Sequence, residues 1–373
     1  MAKQWTPQEQ MLLRMTSEFT ANEIAPLDLQ IDHAGRYPDG LFEQVVATGF
    51  LSLMLPNEFG GAGFGPEVTA EVVRRVAEGN ASMAATLEGH YKTVYQMLKY
   101  GTPALQAKYF PTAGQRIFGF GMTEPTGGSN PMSIRTTAVR QGSDWVLNGN
   151  KIMITNGGLA EVYCVLAKTG PQELSVFVVD QDMPGFAFGK RENFIGLRGT
   201  PVGEIFMNDV RVSDDYLLGQ VGQGGEIGDS AHDDARILMG AVLTGIMDHA
   251  LGLATSYAKE RKAGSTPIGE LGSIQRKLAD IAMGRETTRL LYQNAAARHA
   301  AGQPYSEEAT MAKAYGSRTA VAACDDALQV FGGYGYSRDY PLAHLIADAR
   351  ALEIAEGTVE KMRAAIAAAE LAK

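Results

Sequence analysis

The sequence predicts an α+β chain made of a helical segment, a strand-rich segment and a second helical segment. Apolar residues recur at three- and four-residue steps from Pro7 to about Gly114 and again after Gly222, the period of helices with one buried face. Between Arg116 and Val221 the texture changes to short β-rich runs parted by turn residues, with no helical stretch among them. Glycine follows the same division. Residues 116–230 hold 19 of the 43 glycines, the density of tight turns between strands rather than of a linker. Strands grouped apart from helices indicate α+β, and several in succession indicate an antiparallel barrel or sandwich. Breaker-rich stretches near Gly114 and across 222–228 place domains at 1–115, 116–222 and 223–373.

In the first segment, Met11, Leu12, Met15, Phe19 and Ile24 form one apolar stripe, and Leu41, Val45 and Val46 repeat the theme. The run from Pro56 to Gly61, PNEFGG, is a turn. A second helical stretch spans about Glu67 to Tyr100, and Pro103 and Pro111 punctuate the chain beyond it. In the middle segment, Trp145-Val146-Leu147 and residues 151–155 flank Asn148-Gly149-Asn150, a hairpin signal. Residues 162–166, 174–179, 205–206 and 210–212 are further strands. In the last segment, Ile237, Leu238, Ala241, Val242, Gly245, Ile246 and Leu253 define a long apolar face ending near Arg261. Leu278, Ile281, Ala282, Leu290 and Leu291 define another, and residues 306–331 and 358–371 make two more helices.

The net charge of −9 argues against a nucleic-acid surface, which needs clustered Lys and Arg. Two cysteines, Cys164 and Cys324, make no disulfide scaffold and fit a reducing compartment. The start lacks the apolar core of a signal peptide, and no stretch approaches about 18 consecutive apolar residues. The expectation is a soluble, cytoplasmic protein without a membrane span. No GxGxxG follows a strand, and GxxxxGK(S/T), HExxH and GxSxG are absent, so Rossmann, P-loop, zinc-protease and serine-hydrolase readings lose their support. No metal site is expected.

Four polar runs stand out. They are FGMTEPTGGSN from Phe120 to Asn130, WVLNGNKIMITNG from Trp145 to Gly157, QVFGGYGY from Gln329 to Tyr336, and IAEGT from Ile354 to Thr358. Each alone is a helix break, a turn or a solvated helix end. Together and in this order they resemble the runs MTEPxAGSD, WxxNGxKxxITNG, QxxGGxGY and YEGTxE of the acyl-CoA dehydrogenase family, flavoenzymes that desaturate thioesters. The PNEFGG turn resembles another family run. The resemblance covers nearly the whole chain and implies an N-terminal helical domain, a middle β domain and a C-terminal four-helix bundle.

It also implies FAD between the β domain and the C-terminal helices. Met122, Thr123 and Thr155 match positions that contact the flavin, and Ser129 one beside the pyrophosphate and substrate. Gln329, Gly332, Gly333 and Arg261 match positions that meet a neighbouring subunit's FAD, and Thr358 an adenine-side contact. Glu356 stands where the family commonly carries the base that takes the α-proton while a hydride leaves the β-carbon for flavin N5. Such a base is expected to be poorly solvated, with its pKa raised toward neutrality. The oxyanion of the thioester is expected to meet a backbone N–H and a flavin ribityl hydroxyl. Gly357 fits the tight space beside the base, and Asp233 and Arg236 match a D-x-x-R pair along the thioester-carrier tunnel.

Several positions depart from the family runs. Gly264, Ser265 and Gly272 replace the usual Phe, Gly and Gln of an inter-subunit FAD contact. Ala355 replaces Tyr before the base, Met153 a tryptophan over the flavin, and His232 a Phe of the acyl site. The expected substrate is an acyl-CoA or an acyl-carrier-protein thioester. The resemblance implies an electron-transfer flavoprotein or oxygen as the electron acceptor, and a homotetramer or dimer as the assembly. A non-catalytic subunit of a hetero-oligomer is the alternative from another class.

Overall fold

A computed structural model describes residues 3–128 and 130–373. Thr6 opens α1 (Pro7–Phe19): its hydroxyl accepts from the Glu9 N–H, and the Glu9 carboxylate accepts from the Thr6 N–H, a reciprocal cap that fixes the helix start. Short helices α2 (Asp28–Ala34) and α3 (Leu41–Ala47) come next. The 56–61 turn then leads to α4 (Pro66–Gly79). Asn80 caps α5 (Ala81–Tyr100), and α6 (Pro103–Ala113) closes the segment. Every residue of α5 from Ala81 to Val94 is buried. A helix covered on all sides has no solvent face, so each charge on it is a buried charge.

The middle segment comprises β1 (Phe118–Gly121), β2 (Thr137–Gln141), β3 (Asp144–Thr155), β4 (Val162–Gly170), β5 (Glu173–Asp180), β6 (Phe186–Arg191), β7 (Val202–Ser213) and β8 (Leu217–Leu218). They form one sheet in the order β6-β7-β3-β2-β4-β5-β8, with β1 on β4. The pairing is antiparallel except for β1–β4 and the single Thr137–Lys168 pair joining β2 to β4. That one-residue seam divides the sheet into halves that fold over each other. Trp145 of β3 meets Phe177 of β5 at 5.4 Å between ring centroids, and Tyr163 of β4 stacks on Phe186 of β6 at 5.4 Å. The result is a sandwich with open edges rather than a closed barrel. Alternation along β4 serves both faces. Tyr163, Val165 and Ala167 join the core between the halves, whereas Val162, Cys164 and Leu166 pack with Val94, Met97 and Phe110 of α5 and α6.

The expected hairpin at Asn148-Gly149-Asn150 is not formed; these residues lie inside β3. The chain reverses instead at Gly142-Ser143, between the paired Gln141 and Asp144. The pairing with β7 shifts register between Leu147 and Gly149, and a Cβ at Gly149 would sit 2.4 Å from the Thr136 hydroxyl oxygen. This glycine serves a bulge and a close approach rather than a turn.

The last segment contains α7 (Gly224–Glu260), the small β9 (Lys262–Ala263) and β10 (Thr266–Pro267) pair, α8 (Gly272–Ala300), α9 (Ser306–Phe331), α10 (Leu342–Ala351) and α11 (Val359–Leu371). Helices α7, α8 and α9 pack on one another and α4 lies against α7, while α11 packs on α9 through Val359, Met362 and Ala314. Although it holds no unbroken apolar run of membrane-spanning length, α7 is by length and composition apolar enough to cross a membrane. However, 72% of its most apolar window is buried in the protein, as in a core helix. The short α10 has no counterpart in the sequence reading.

Candidate active site

Glu356 lies in the loop between α10 and α11 with φ 54°, followed by Gly357 at φ 101°. A left-handed backbone at a residue with a side chain costs about 1–3 kcal/mol, so surrounding contacts must hold it. Arg236 Nε donates to the Glu356 carbonyl at 3.4 Å, and Lys313 Nζ of α9 to the Gly357 carbonyl at 2.5 Å. The Thr358 hydroxyl accepts from the Lys361 N–H at 3.3 Å and so caps α11.

Helix α7 supplies the partners on one side. His232 and Arg236, four residues apart, share a face. His232 Nδ1 is 2.8 Å from Glu356 Oε2. Arg236 Nη1 donates to Asp233 Oδ1 at 2.8 Å and to Thr310 Oγ1 of α9 at 3.2 Å. The D-x-x-R pair is thus an ion pair that also grips the loop carrying Glu356. Helix α5 supplies the other side: Lys92 Nζ bonds Glu356 Oε1 and lies 3.5 Å from Glu88 Oε1.

Electrostatics here run against the expectation of a raised base. Burial pushes the Glu356 carboxyl up, but the Lys92 ammonium and the His232 hydrogen bond outweigh it and hold the group well below the usual carboxylate range. Burial pushes Glu88 up to about 8, Lys92 pulling against the rise and Glu356 adding to it. Among the described residues no hydrogen bond of good geometry reaches either Glu88 carboxylate oxygen, whose one ion-pair contact is Lys92 Nζ at 3.5 Å. Burial lowers Lys313 to about 7, with Glu356 opposing.

The two β-segment runs meet through buried Lys151. Its Nζ donates to the Met122 carbonyl at 3.2 Å and to Glu124 Oε1 at 2.7 Å, and the Ile152 N–H donates to the Thr123 carbonyl at 2.9 Å. Thr155 reaches α5 at Gly89, where an added Cβ would lie 2.9 Å from Thr155 Cγ2. Gly89 and Lys92, three residues apart, share a face of α5, so that face carries both the approach of Thr155 and the ion pair to Glu356. Among the described residues no hydrogen bond engages the half-buried hydroxyls of Thr123 and Thr155, and Met153 beside Thr155 is 47% exposed at φ 56°. Free hydroxyls and an open apolar side chain fit the polar rim and flat face of an isoalloxazine.

Arg261, Gly332 and Gly333 line a separate surface cleft of roughly 520 Å³ with Tyr257, Phe331 and Tyr334, sharing no residue with the surroundings of Glu356. Gln329 is exposed one turn before, near the end of α9, and Ala355 is exposed. Gly264 and Gly272 have open space where a Cβ would stand. Ser129 lies outside the described residues.

The sequence reading missed Glu88, Lys92, Thr310 and Lys313. In sequence Glu88 and Lys92 read as an ordinary i,i+4 pair, among Ser82, Thr86, His90 and Thr93, and no local signal marks the helix as covered on all sides.

Residues 6–115, 119–210 and 222–371 match the N-terminal, middle and C-terminal domains of acyl-CoA dehydrogenase. An acyl-CoA dehydrogenase of Bacillus subtilis is 35% identical over 95% of this chain and 96% of its own length. An acryloyl-CoA reductase (NADH) of Anaerotignum propionicum is 36% identical over 97% and 94%. The solved butyryl-CoA dehydrogenase of Megasphaera elsdenii superposes with a TM-score of 0.97 at 31% identity, covering 100% of both chains. Matches to all three regions, with near-complete coverage of relatives above 30% identity, make the chain a member of the acyl-CoA dehydrogenase family of flavin-dependent oxidoreductases.

Proposed function

We propose that this chain dehydrogenates an acyl-CoA between its α and β carbons, with Glu356 as the base that takes the α-proton. The observation carrying this reading is the placement of Glu356 in a left-handed turn, inside a ring formed by His232, Arg236 and Lys92, on the helix face that also meets Thr155. Among the described residues the Glu356 N–H makes no hydrogen bond, which leaves it available to a thioester carbonyl as negative charge develops on its oxygen. Glu356 accepts the α-proton on its carboxylate, while Arg236 fixes the loop so that carboxylate and N–H keep their relative positions.

FAD held along Met122, Thr123 and Thr155 would supply the acceptor for the hydride leaving the β-carbon. Asp233 and Arg236 would border the path of the CoA or carrier-protein arm. Arg261, Gln329, Gly332 and Gly333 would meet the FAD of a neighbouring subunit in a homo-oligomer, a role supported by their exposed position apart from Glu356. Electrons would pass to an electron-transfer flavoprotein, with oxygen as the competing acceptor.

The test is spectroscopic. The purified protein is expected to carry flavin absorbance, alone or after FAD is added, and a panel of acyl-CoA and acyl-carrier-protein thioesters should include one that bleaches it without oxygen. Glu356→Gln should keep the flavin and lose the bleaching. Undiminished bleaching in that variant sinks the base assignment. Absence of flavin in any condition sinks the enzymatic reading and leaves the non-catalytic subunit.

A further inference from the structure

A carboxylate gripped by a buried ammonium is a poor base, because proton uptake must break the pair. An α-carbon lying against Glu356 also needs the place Lys92 takes at Oε1. Lys92 must therefore move, and a desolvated cation moves only to another acceptor. Two carboxylates other than Glu356 lie near it. Asp234, which borders the same small cavity as Lys92, is already engaged: it accepts from Gln96 Nε2 at 2.6 Å and from the Tyr305 hydroxyl at 2.6 Å, with His299 Nε2 at 3.3 Å. Glu88 is different. It is fully buried, among the described residues neither of its oxygens accepts a well-formed hydrogen bond, and Lys92 Nζ stands at the long ion-pair distance of 3.5 Å. A buried carboxyl group without a well-formed hydrogen bond requires an explanation, and a second seat for Lys92 supplies one.

We propose that Lys92 is a positioning residue with two seats, holding Glu356 in the arrangement seen and passing to Glu88 when an acyl thioester lies against Glu356, which frees the base. This deepens the dehydrogenase reading and rests on it for the thioester, though not for the two seats. Glu88 sits one helical turn before Lys92 on α5, so a side-chain rotation suffices and the helix need not shift. Burial, which pushes the Glu88 carboxyl up to about 8, favours its protonated form at neutral pH while Lys92 is on Glu356; in this scheme the proton leaves for solvent as Lys92 arrives. Among the described residues, the other charged or titratable groups around the pair include His232, Asp233, Asp234 and Arg236 of α7, Lys313 of α9, His299 of α8, and Tyr91 and Tyr95 of α5. Of these His232 contacts the Glu356 carboxylate directly, so it stays as the fixed partner while Lys92 leaves.

Two arms test the proposal on the FAD-loaded protein. The first needs no substrate. Infrared difference spectra at neutral pH should show a protonated carboxyl band in wild type that Glu88→Gln removes. Glu356→Gln should also remove it, because Lys92 then passes to Glu88 and ionises it. A band that persists in Glu356→Gln overturns the proposal whatever the substrate proves to be. The second arm uses a thioester that bleaches wild type. Glu88→Gln copies the neutral form of Glu88, so flavin content and melting should hold, yet kcat should drop about 100-fold, within the range general-base catalysis supplies. Lys92→Met in that background should restore it to within about tenfold of wild type, the non-additivity of residues acting on one another. Glu88→Gln at wild-type rate, or a double variant no faster than Glu88→Gln, overturns it. If no thioester bleaches wild type while the infrared arm succeeds, the dehydrogenase reading falls and the two seats stand.

Discussion

Arg236 reaches the main-chain carbonyl of Glu356 at 3.4 Å while its other arm is held by Asp233 at 2.8 Å. A pair that looks in sequence like a helix-surface salt bridge therefore fixes a strained turn more than one hundred residues away. Replacing Arg236 with Gln should leave flavin bound but let the Glu356 loop drift, lowering kcat by about 10–100-fold with a smaller change in KM, the cost of misplacing a reacting group. Arg236→Lys should recover only part of the loss, since an ammonium cannot serve both acceptors in the fork geometry. Steady-state kinetics on both variants check this.

His232 lowers the Glu356 carboxyl through its Nδ1 contact. His232→Phe removes that bond, so the carboxyl rises toward its ordinary range. A base works deprotonated, so a raised pKa moves the acid limb of the kcat/KM profile to higher pH. A profile that stays put or moves to lower pH would contradict the assignment.

Lys151 and Glu124 form a buried pair at 2.7 Å, with side chains 0% and 2% exposed. Glu124 also accepts from the N–H groups of Arg135 at 2.5 Å and Thr136 at 3.1 Å. Glu124→Gln leaves Lys151 without its counter-charge and should cost about 3–5 kcal/mol, as for other broken buried pairs. Because Lys151 holds the Met122 carbonyl, and its neighbour Ile152 the Thr123 carbonyl, flavin affinity should fall with stability. Denaturant titration and flavin release measure the two losses together.

His344 of α10 is buried between Asp28 at 2.9 Å and Asp348 at 3.1 Å. Burial alone would lower its pKa, but the two carboxylates raise it to about 11 from an ordinary 6.5. A raised folded pKa gives stability that is fully present below the unfolded value and is lost as pH climbs through the folded one. The stability difference between wild type and His344→Gln should therefore shrink by about 1.4 kcal/mol per unit from pH 7 to pH 10, one proton's worth. Urea melts at four pH values decide it; a constant difference rules out the charged imidazole.

The helical, strand and helical order is legible in the sequence because period and turn chemistry are local properties. Glu356, Asp233 and Arg236 can be singled out as candidates because they sit in compact runs, and the structure brings them together. What escapes is set by contacts between distant residues. Asn148-Gly149 carries a hairpin signal, yet β7 and Thr136 decide that the strand runs on. Glu88 and Lys92 look like a solvated i,i+4 pair until α5 is known to be covered on all sides. The lowered carboxyl of Glu356 depends on residues 264 and 124 positions away. Short α10 is hidden for a related reason: only three of its apolar residues, Leu342, Leu345 and Ala349, are buried, and apolar residues on its other faces blur the period.

The network around His344 draws on all three segments. Asp28 comes from α2 and also accepts from Asn80 at 2.7 Å, while Asp348 accepts from the Leu197 N–H of the β6–β7 loop at 2.5 Å. Chimeras spliced with relatives at segment boundaries would split this set. A donor lacking one of the acids would leave one ring nitrogen of the imidazole without its partner in the interior, and one lacking the imidazole would leave two anions facing each other. Viable recombinants should be those in which positions 28, 344 and 348 are inherited as a block, although two splice points lie between the first and the last.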